Sequence, residues 1–322
     1  MRMILTTAAV AAALAAGAAR AETWDMPMAY AESNFHTENA KEFAADVAEC
    51  TGGELEIIIH GAGSLYGGDQ IKRAVQTGQA PIGERLLSAH ANEAAIFGFD
   101  SVPFLATSYE ESEKLMDAAR PALEEELDAQ GLMLLYTVPW PPQGLYVNKE
   151  INSAADLAGL KFRAYNNATA RLAELAEMQP VQIEAAELSQ ALATGVAEAF
   201  ISSGATGYDQ KVWEHLSHFY NLQAWLPRNA IIVNKDAFAA LPEDQQRCLI
   251  EAGKTAGGRG AAESEELSNW YLEELAKAGM TVGDPSDQLR SDLSAFGETM
   301  AGEWAEEAGE AGQAVLDGYS GS

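Results

Sequence analysis

Positive charge is scarce in this chain of 322 residues. Lysine and arginine together number 20 against 48 aspartates and glutamates, which gives a formal net charge of −28 at pH 7. Such an acidic surface repels the phosphates of nucleic acids and of anionic membranes, so neither is expected as a partner. Hydrophobic residues still make up 48% of the chain, and this composition excludes wholesale disorder.

Cysteine is also rare, since the chain contains only Cys50 and Cys248. Neither residue stands in a Cys-x-x-Cys motif, so a redox dithiol and a cysteine-rich zinc site are both unsupported. The two cysteines form either a disulfide or two separate buried thiols. Sequence alone leaves both alternatives open, because it does not show whether the Cα atoms come close enough to be bridged.

Motifs for catalysis and for cofactor binding are missing. The sequence has neither a Gly-x-Ser-x-Gly nucleophile elbow nor a His-Glu-x-x-His zinc helix. Gly253-Lys254-Thr255 resembles the end of a phosphate-binding loop, but Cys248 stands where the first glycine is required. In residues 61–67 the third glycine of a dinucleotide fingerprint comes one place late. His215 and His218 lack further ligands in a known zinc spacing. We therefore predict no cofactor, no metal and no enzymatic activity.

No hydrophobic run long enough to span a bilayer follows residue 21, but a shorter apolar stretch precedes it. Arg2 supplies a positive N-terminal region, residues 3–19 are apolar, and Ala19 and Ala21 fit a cleavage site. The alternative, an N-terminal membrane anchor, is disfavoured because the run is short and rich in alanine. Residues 1–21 thus predict a signal peptide cleaved after Ala21, and an exported, soluble protein that does not insert into the membrane.

Strand-like and helix-like segments alternate along the rest of the chain, which is typical of an α/β protein with largely parallel strand pairing. Three prolines within residues 139–142 mark a candidate crossing between domains. Residues 242–277 have helical composition interrupted by Gly257-Gly258. If continuous, this helix would be about 50 Å long, enough to run across two lobes. The predicted strands include residues 23–28, 54–60, 132–138, 144–148, 161–164, 199–201 and 230–234.

Four short motifs together resemble a known family. They are Gly63-Ser64-Leu65-Tyr66-Gly67, a helix ending in Gln76-Thr77-Gly78, the segment 100–105 with Pro103-Phe104, and Asp156-Leu157-Ala158-Gly159-Leu160-Lys161-Phe162-Arg163. Their order and spacing resemble those of the extracytoplasmic solute-binding proteins of TRAP (tripartite ATP-independent periplasmic) transporters. The resemblance extends from about residue 23 to residue 281.

This resemblance implies a periplasmic binding protein-like α/β fold, with two discontinuous lobes around a central ligand cleft, bridged by the long helix. We expect residues 22–144 and 231–273 in lobe I, and residues 145–230 and 274–322 in lobe II. The resemblance also implies a periplasmic protein that closes around a small-molecule ligand. Such a protein hands its ligand to the TRAP membrane permease subunits and hydrolyses nothing itself.

The resemblance further implies that Arg163, the last residue of the fourth motif, holds a ligand carboxylate. Arginine suits this role because its planar guanidinium donates two parallel, charge-assisted hydrogen bonds to a carboxylate or a sulfonate. The alternative is an arginine paired with a structural acid, since a buried arginine needs a partner in either case.

The residues after the fourth motif depart from the usual family pattern, which suggests a ligand other than a common aliphatic diacid. Asn166 and Ser203 are candidates for hydrogen bonds to it. Tyr208, Trp225 and Trp140 are candidates for flat walls of the site and would suit an aromatic or bulky ligand. The alternative for each aromatic residue is ordinary packing in the core.

Glu84 is an acidic candidate at the end of a predicted strand, where it either faces the cleft or is a surface acid. Three hypotheses follow for the function. The leading one is a binding protein for a small organic anion. The second is the same fold binding an amine or a zwitterion through Glu84 and an aromatic wall. The third is a secreted hydrolase, supported only by export and the α/β class.

Overall fold

The structure is a computed structural model that describes residues 21–321. The predicted signal peptide therefore lies outside the described residues, apart from Ala21. The strands are β1 (Glu22–Pro27), β2 (Leu55–His60), β3 (Ile82–Leu86), β4 (Leu132–Pro139), β5 (Gly144–Val147), β6 (Lys161–Ala164), β7 (Gln179–Gln182), β8 (Ala199–Ser202), β9 (His218–Tyr220), β10 (Arg228–Asn234) and β11 (Thr281–Gly283). The α-helices are α1 (Phe35–Cys50), α2 (Gly68–Gln76), α3 (Tyr109–Ala129), α4 (Asn167–Leu175), α5 (Leu188–Ala193), α6 (Gly204–Asp209), α7 (Lys235–Ala240), α8 (Glu243–Lys277) and α9 (Asp287–Ser320).

Each lobe has its own sheet. Lobe I contains the pair β1-β2 and the three-stranded sheet β3-β10-β4, and lobe II contains the six-stranded sheet β11-β9-β5-β8-β6-β7. The prediction of largely parallel pairing is wrong, because β10 runs antiparallel to β3 and β4, and β5 runs antiparallel to β8 and β9. These two strands carry the chain from lobe I to lobe II and back. A strand that enters a sheet from the opposite lobe runs against its neighbours.

The long helix α8 is continuous over 35 residues, so Gly257-Gly258 does not break it. Its glycines instead allow close packing on β4. A Cβ atom on Gly253 would lie 2.9 Å from Leu135, and one on Gly260 would lie 2.7 Å from Val138. The strand can therefore approach the helix backbone directly. The helix contacts α1 and β4 of lobe I and α6 and β11 of lobe II, as a bridge between the lobes must.

The largest cluster of buried hydrophobic side chains continues through the junction of the lobes. Phe43 and Val138 belong to it in lobe I, and Leu145 and Phe162 belong to it in lobe II. Each lobe also has a further cluster of its own. The two lobes are thus packed together at the hinge side of the molecule, and this packing fixes the geometry of the cleft between them.

Helix α9, which the sequence analysis did not predict, extends over both lobes. Asp292 accepts a hydrogen bond from the main-chain N–H of Ala154 in lobe II (2.9 Å), whereas Trp304 donates one to the main-chain oxygen of Ala95 in lobe I (2.9 Å). The helix is kinked at Gly309, where φ is 58° and ψ is −135°. The expected lobe boundaries stay a prediction, but the C-terminal half of α9 packs on lobe I.

A disulfide joins Cys50 to Cys248, with the two Cα atoms 5.7 Å apart. This finding decides between the two alternatives that the sequence left open. The bond connects the last residue of α1 to the first turns of α8, so it ties together two helices that pack on each other.

Candidate ligand-binding site

A cavity of about 40 Å³ lies between the lobes, at the carboxyl ends of three strands. Arg85 and Leu86 end β3, Arg163 precedes the last residue of β6, and Ser202 ends β8. Ligands of α/β proteins bind outside the carboxyl ends of strands, where side chains from neighbouring strands converge. The other lining residues are Tyr30, Ala89, Trp140, Gln143, Tyr165, Glu184, Ala185, Thr206 and Pro227. The small volume of this space suits a small ligand.

Arg163 presents its guanidinium to this cavity without a protein anion to balance it. The residue is only 4% exposed. Its Nε donates to the main-chain oxygen of Ile183 (2.8 Å), and the guanidinium carbon lies 5.0 Å from the centre of the Tyr165 ring. Within residues 21–321 no acidic side chain forms an ion pair with it, and its two terminal nitrogens make no hydrogen bond. Burial lowers the pKa of Arg163, as expected for an uncompensated cation. Among residues 21–321, no acidic side chain therefore serves as the structural partner of Arg163 that the sequence analysis named as the alternative.

Arg85, on the opposite side of the cavity, is a buried arginine with a partner. Its terminal nitrogens donate to both carboxylate oxygens of Glu184 (3.2 and 3.1 Å), which is a bidentate ion pair between lobe I and lobe II. The sequence analysis missed Arg85 and singled out its neighbour Glu84 instead. Consecutive residues of a strand point to opposite faces, so only one of the two can reach the cavity.

His90 accepts a hydrogen bond from the Nε atom of Arg85, the guanidinium nitrogen that Glu184 does not contact. Arg85 Nε lies 3.2 Å from His90 Nε2, and His90 Nδ1 lies 2.6 Å from a carboxylate oxygen of Glu93. Nε2 can accept from Arg85 only if the ring proton is on Nδ1, where it is donated to Glu93. Burial, and then the charge of Arg85, lowers the pKa of His90, which favours this neutral form.

The ionisable side chains that line the cavity carry a net charge of +1, since Arg85 and Arg163 are cations and Glu184 is an anion. Burial raises the pKa values of Tyr30 and Tyr165 well above their ordinary range, so both hydroxyl groups are neutral. One negative charge on a ligand would therefore balance the cavity. A second negative charge would be left without a partner.

Aromatic rings form two walls of the cavity. Trp140 and Tyr30 meet edge to face with their ring centres 4.8 Å apart. Tyr165 is held by its hydroxyl, which lies 3.3 Å from the side-chain oxygen of Gln143 and 3.1 Å from the indole nitrogen of Trp225. Trp140 thus lines the cavity, while Trp225 lies behind Tyr165 and orients it.

Asn166 and Ser203, predicted as hydrogen-bonding ligand contacts, are helix N-caps outside the cavity lining. The Oδ1 atom of Asn166 accepts from the main-chain N–H of Thr169 (2.8 Å) at the start of α4. Ser203 Oγ accepts from the main-chain N–H of Thr206 (3.3 Å) at the start of α6. Next to Ser203, the residues Ser202 and Thr206 reach the cavity instead.

Tyr208 also lies outside the cavity lining. Its ring centre is 4.9 Å from that of Trp270 and 5.8 Å from that of Tyr271, both on α8. Tyr208 therefore packs against other aromatic residues, which is the alternative to a ligand contact that the sequence analysis left open. Its helix, α6, is short and packs against α8, which turns this side chain away from the cleft.

Glu84 neither faces the cavity nor lies at the surface, since it is 1% exposed. Its Oε1 accepts from the side-chain amide of Asn229 (2.9 Å), and Trp140 donates to the oxygen of the same amide (2.8 Å). Burial raises the pKa of Glu84 to about 8, so it is largely neutral at pH 7. The amine hypothesis thus loses the acidic residue that motivated it.

The chain is similar to known solute-binding proteins. Residues 27–309 match the model of the DctP family, described as bacterial extracellular solute-binding protein, family 7. A TRAP solute-binding protein from a marine metagenome, specific for pyroglutamate, is 54% identical over 94% of this chain and 100% of its own, with a TM-score of 0.93. DctP6 of Bordetella pertussis, an extracytoplasmic solute receptor binding pyroglutamic acid, is 48% identical over 93% of this chain and 100% of its own, with a TM-score of 0.92. A monocarboxylate 2-oxoacid-binding periplasmic protein of Nostoc sp. is 25% identical over 89% of this chain and 84% of its own.

These matches confirm the resemblance to the TRAP solute-binding proteins and the two-lobed α/β fold that it implied. The family consists of periplasmic receptors for solutes rather than enzymes. In residues 21–321, no helix is long and apolar enough to cross a membrane. Since the matched region covers most of its length, this chain belongs to the DctP family of bacterial extracellular solute-binding proteins, the solute-capturing subunits of TRAP transporters.

Proposed function

We propose that this protein is the periplasmic receptor for pyroglutamate, or for a closely related small cyclic monocarboxylate. The observation that carries the proposal is the unpaired guanidinium of Arg163 in a cavity whose lining has a net charge of +1. A buried cation without a counter-ion is costly, and a ligand carboxylate relieves that cost. Two relatives about half identical to this chain bind pyroglutamate, and a third binds monocarboxylates.

The ligand fits the polar groups that remain unused. Its carboxylate accepts two hydrogen bonds from the terminal nitrogens of Arg163. Its lactam N–H donates to Glu184, which keeps free lone pairs beside Arg85. The hydroxyl groups of Tyr30 and Ser202 make no hydrogen bond within the described part of the chain, so they can donate to the lactam oxygen. The flat ring lies against Tyr165 and Trp140.

A panel of three ligands tests this proposal. L-pyroglutamate and L-proline have similar rings, but proline lacks the lactam oxygen and is a zwitterion. Succinate is a dianion of similar size. Calorimetric titration of protein freed of co-purified ligand should give the highest affinity for L-pyroglutamate. Melting curves should agree, because a ligand at 100 times its Kd stabilises the folded state by about 2.7 kcal/mol. Tighter binding of proline or succinate than of pyroglutamate would contradict the proposal.

We also propose that the signal peptide is cleaved after Ala21 and that the ligand is delivered to the TRAP membrane permease subunits. The support is the sequence of residues 1–21 and the membership of the family. The mass of the protein released from the periplasm tests the first point. A mass that corresponds to an N-terminal residue other than Glu22 would contradict it. Uptake of labelled ligand into vesicles that contain the permease, with and without this protein, tests the second.

A further inference from the structure

We propose that two helix-capping asparagines, Asn34 and Asn166, hold the lobes closed and thereby set how long the ligand stays bound. The inference rests on the proposed function only in that it concerns retention of a ligand in the same cavity. Neither residue lines the cavity. Both donate a hydrogen bond from one lobe to the other.

Asn166 reaches from lobe II to lobe I. Its Oδ1 is used at its own helix, where it accepts from the main-chain N–H of Thr169. The side-chain NH₂ group is therefore directed away from the helix, and it donates to Ser88 Oγ (3.1 Å) and Ser101 Oγ (3.2 Å). All three side chains belong to residues that are 2% exposed or less. Since the serines belong to lobe I, these bonds exist only when the lobes meet.

Asn34 reaches in the opposite direction, from lobe I to lobe II. It caps α1, where its Oδ1 accepts from the main-chain N–H of His36 (3.0 Å). Its Nδ2 donates to a carboxylate oxygen of Asp209 (2.6 Å). Asp209 lines a second cavity that shares Tyr30 and Trp140 with the ligand cavity. The two asparagines thus make cross-lobe contacts from opposite lobes, one to a carboxylate and the other to two hydroxyl groups.

Capping makes these contacts efficient. An amide whose oxygen is bound to its own helix already has a fixed orientation, so its NH₂ group loses little rotational freedom when the lobes close. The ion pair of Arg85 with Glu184 also crosses between the lobes, but it lies in the cavity, where a ligand competes for both partners. The asparagines escape that competition, and their effect should appear in ligand release rather than in ligand selection.

Replacement of each asparagine by serine tests the inference. Serine is an equally good N-cap, but it has no NH₂ group to donate across the cleft. Asn234→Ser is the matched control. Asn234 caps α7 in the same way, and its Nδ2 donates to the main-chain oxygen of Val75, which lies in the same lobe. The control therefore loses an equivalent hydrogen bond that does not cross between the lobes.

Asn34→Ser loses one hydrogen bond between the lobes and Asn166→Ser loses two. Each variant should raise the ligand dissociation rate by about 5- to 10-fold, the effect expected when one or two buried hydrogen bonds are lost. The association rate should stay within about 2-fold, since interface changes act mainly on release. Asn234→Ser should leave both rates unchanged. Stopped-flow fluorescence with L-pyroglutamate measures these rates. Unchanged dissociation in both variants, or an equal increase in the control, would overturn the inference.

A second measurement does not depend on the ligand. Distances between spin labels on the two lobes, recorded without ligand, should show a smaller closed population in Asn34→Ser and Asn166→Ser than in the wild type. If the wild type does not bind pyroglutamate, the proposed ligand is wrong, and this measurement still decides the question of the asparagines. Ser88→Ala removes one of the two acceptors of Asn166 in the opposite lobe, so it should lower the closed population in the same direction as Asn166→Ser but by less. Identical populations in all variants would refute the inference.

Discussion

The two lobes present one buried arginine each to the same cavity, but they treat its charge differently. In lobe I, Arg85 is bound by both oxygens of Glu184 and by His90, so its charge is balanced within the protein. In lobe II, the hydrogen bond of the Arg163 side chain within residues 21–321 goes to a main-chain oxygen, and its guanidinium stacks on Tyr165. A buried cation needs an anion in either case. The described residues supply the anion for Arg85 but none for Arg163, and the proposed function assigns that place to a ligand carboxylate.

Under the proposed function, this difference would let a cavity with two arginines select a ligand with a single negative charge. If both arginines were unpaired, the cavity would carry a charge of +2 and favour a dianion. Glu184 removes one of these charges and also offers an acceptor for a ligand N–H. On this proposal, the paired side chains Arg85 and Glu184 matter as much for selectivity as Arg163, which is proposed to bind the carboxylate. Variants of the charged residues test this directly.

The largest effect is expected for Arg163→Gln. Glutamine can still donate to the oxygen of Ile183, but it has no charge and no second donor for the carboxylate. Removal of one partner of a buried charge pair costs 2–5 kcal/mol, so affinity for L-pyroglutamate should fall by about 1,000-fold. The melting temperature without ligand should not fall, since no ion pair within the protein is lost. Calorimetry and thermal melts check both statements, and retained affinity would remove Arg163 from the site.

A smaller loss is expected for Arg85→Gln, which leaves Glu184 without its cation. Glu184 is partly solvated, so the cost is reduced, and affinity for L-pyroglutamate should fall by about 30-fold. The lining then has a net charge of zero, and Glu184 is free to accept from a ligand ammonium. Binding of the zwitterion L-proline should therefore improve relative to the wild type. If Arg85→Gln weakens proline and pyroglutamate equally, Arg85 has only a structural role.

Glu184→Gln makes the two arginines equivalent and should change selectivity rather than abolish binding. The net charge of the lining rises from +1 to +2, which favours a dianion. The ratio of succinate affinity to L-pyroglutamate affinity should increase by about 10-fold, an effect of roughly 1.4 kcal/mol. Competition titrations with the two acids measure this ratio. An unchanged ratio would show that Glu184 does not set the charge preference.

The contrast between the arginines also shows what could be predicted from the sequence. The four motifs together identified the family and the fold, and the last of them singled out Arg163 as a candidate, with a structural acid partner left as the alternative. Arg85 was missed because every residue of β3 is buried, so no alternation of polar and apolar residues shows which face meets the cleft. Asn166 and Ser203 were singled out because they stand where the sequence departs from the family pattern, but their use as helix caps depends on the helices that follow.

Helix α9 was missed for a different reason. Glycine occurs in it repeatedly, at Gly297, Gly302, Gly309 and Gly312, and glycine lowers the helix propensity of a segment. The helix forms because it packs on both lobes. A Cβ on Gly297 would lie 2.6 Å from the main-chain oxygen of Pro103, so a glycine is needed at that contact. Tertiary contacts of this kind are not visible in a single sequence.

The smallest effect on binding is expected at Glu84, the neighbour of Arg85 on the opposite face of β3. Its ordinary pKa of 4.5 is raised to about 8 in the folded protein. The folded state therefore holds a proton that the unfolded state loses, and this contribution to stability is complete below pH 4.5 and disappears as the pH rises to about 8. Glu84→Gln cannot ionise, yet it can still accept from Asn229.

Between about pH 5 and pH 8, we therefore expect the free energy of unfolding of Glu84→Gln to decline less than that of the wild type, by a difference on the order of 2 kcal/mol. Melting temperatures recorded across this pH range should show the same smaller decline. Part of the decline should remain, because burial also raises the pKa of Asp100 to about 7. Affinity for L-pyroglutamate at pH 7 should be unchanged, since Glu84 is neutral and lies behind Trp140. Equal pH profiles would contradict the buried, protonated state. A large loss of affinity would instead place Glu84 in contact with the ligand and end the distinction between the two faces of β3.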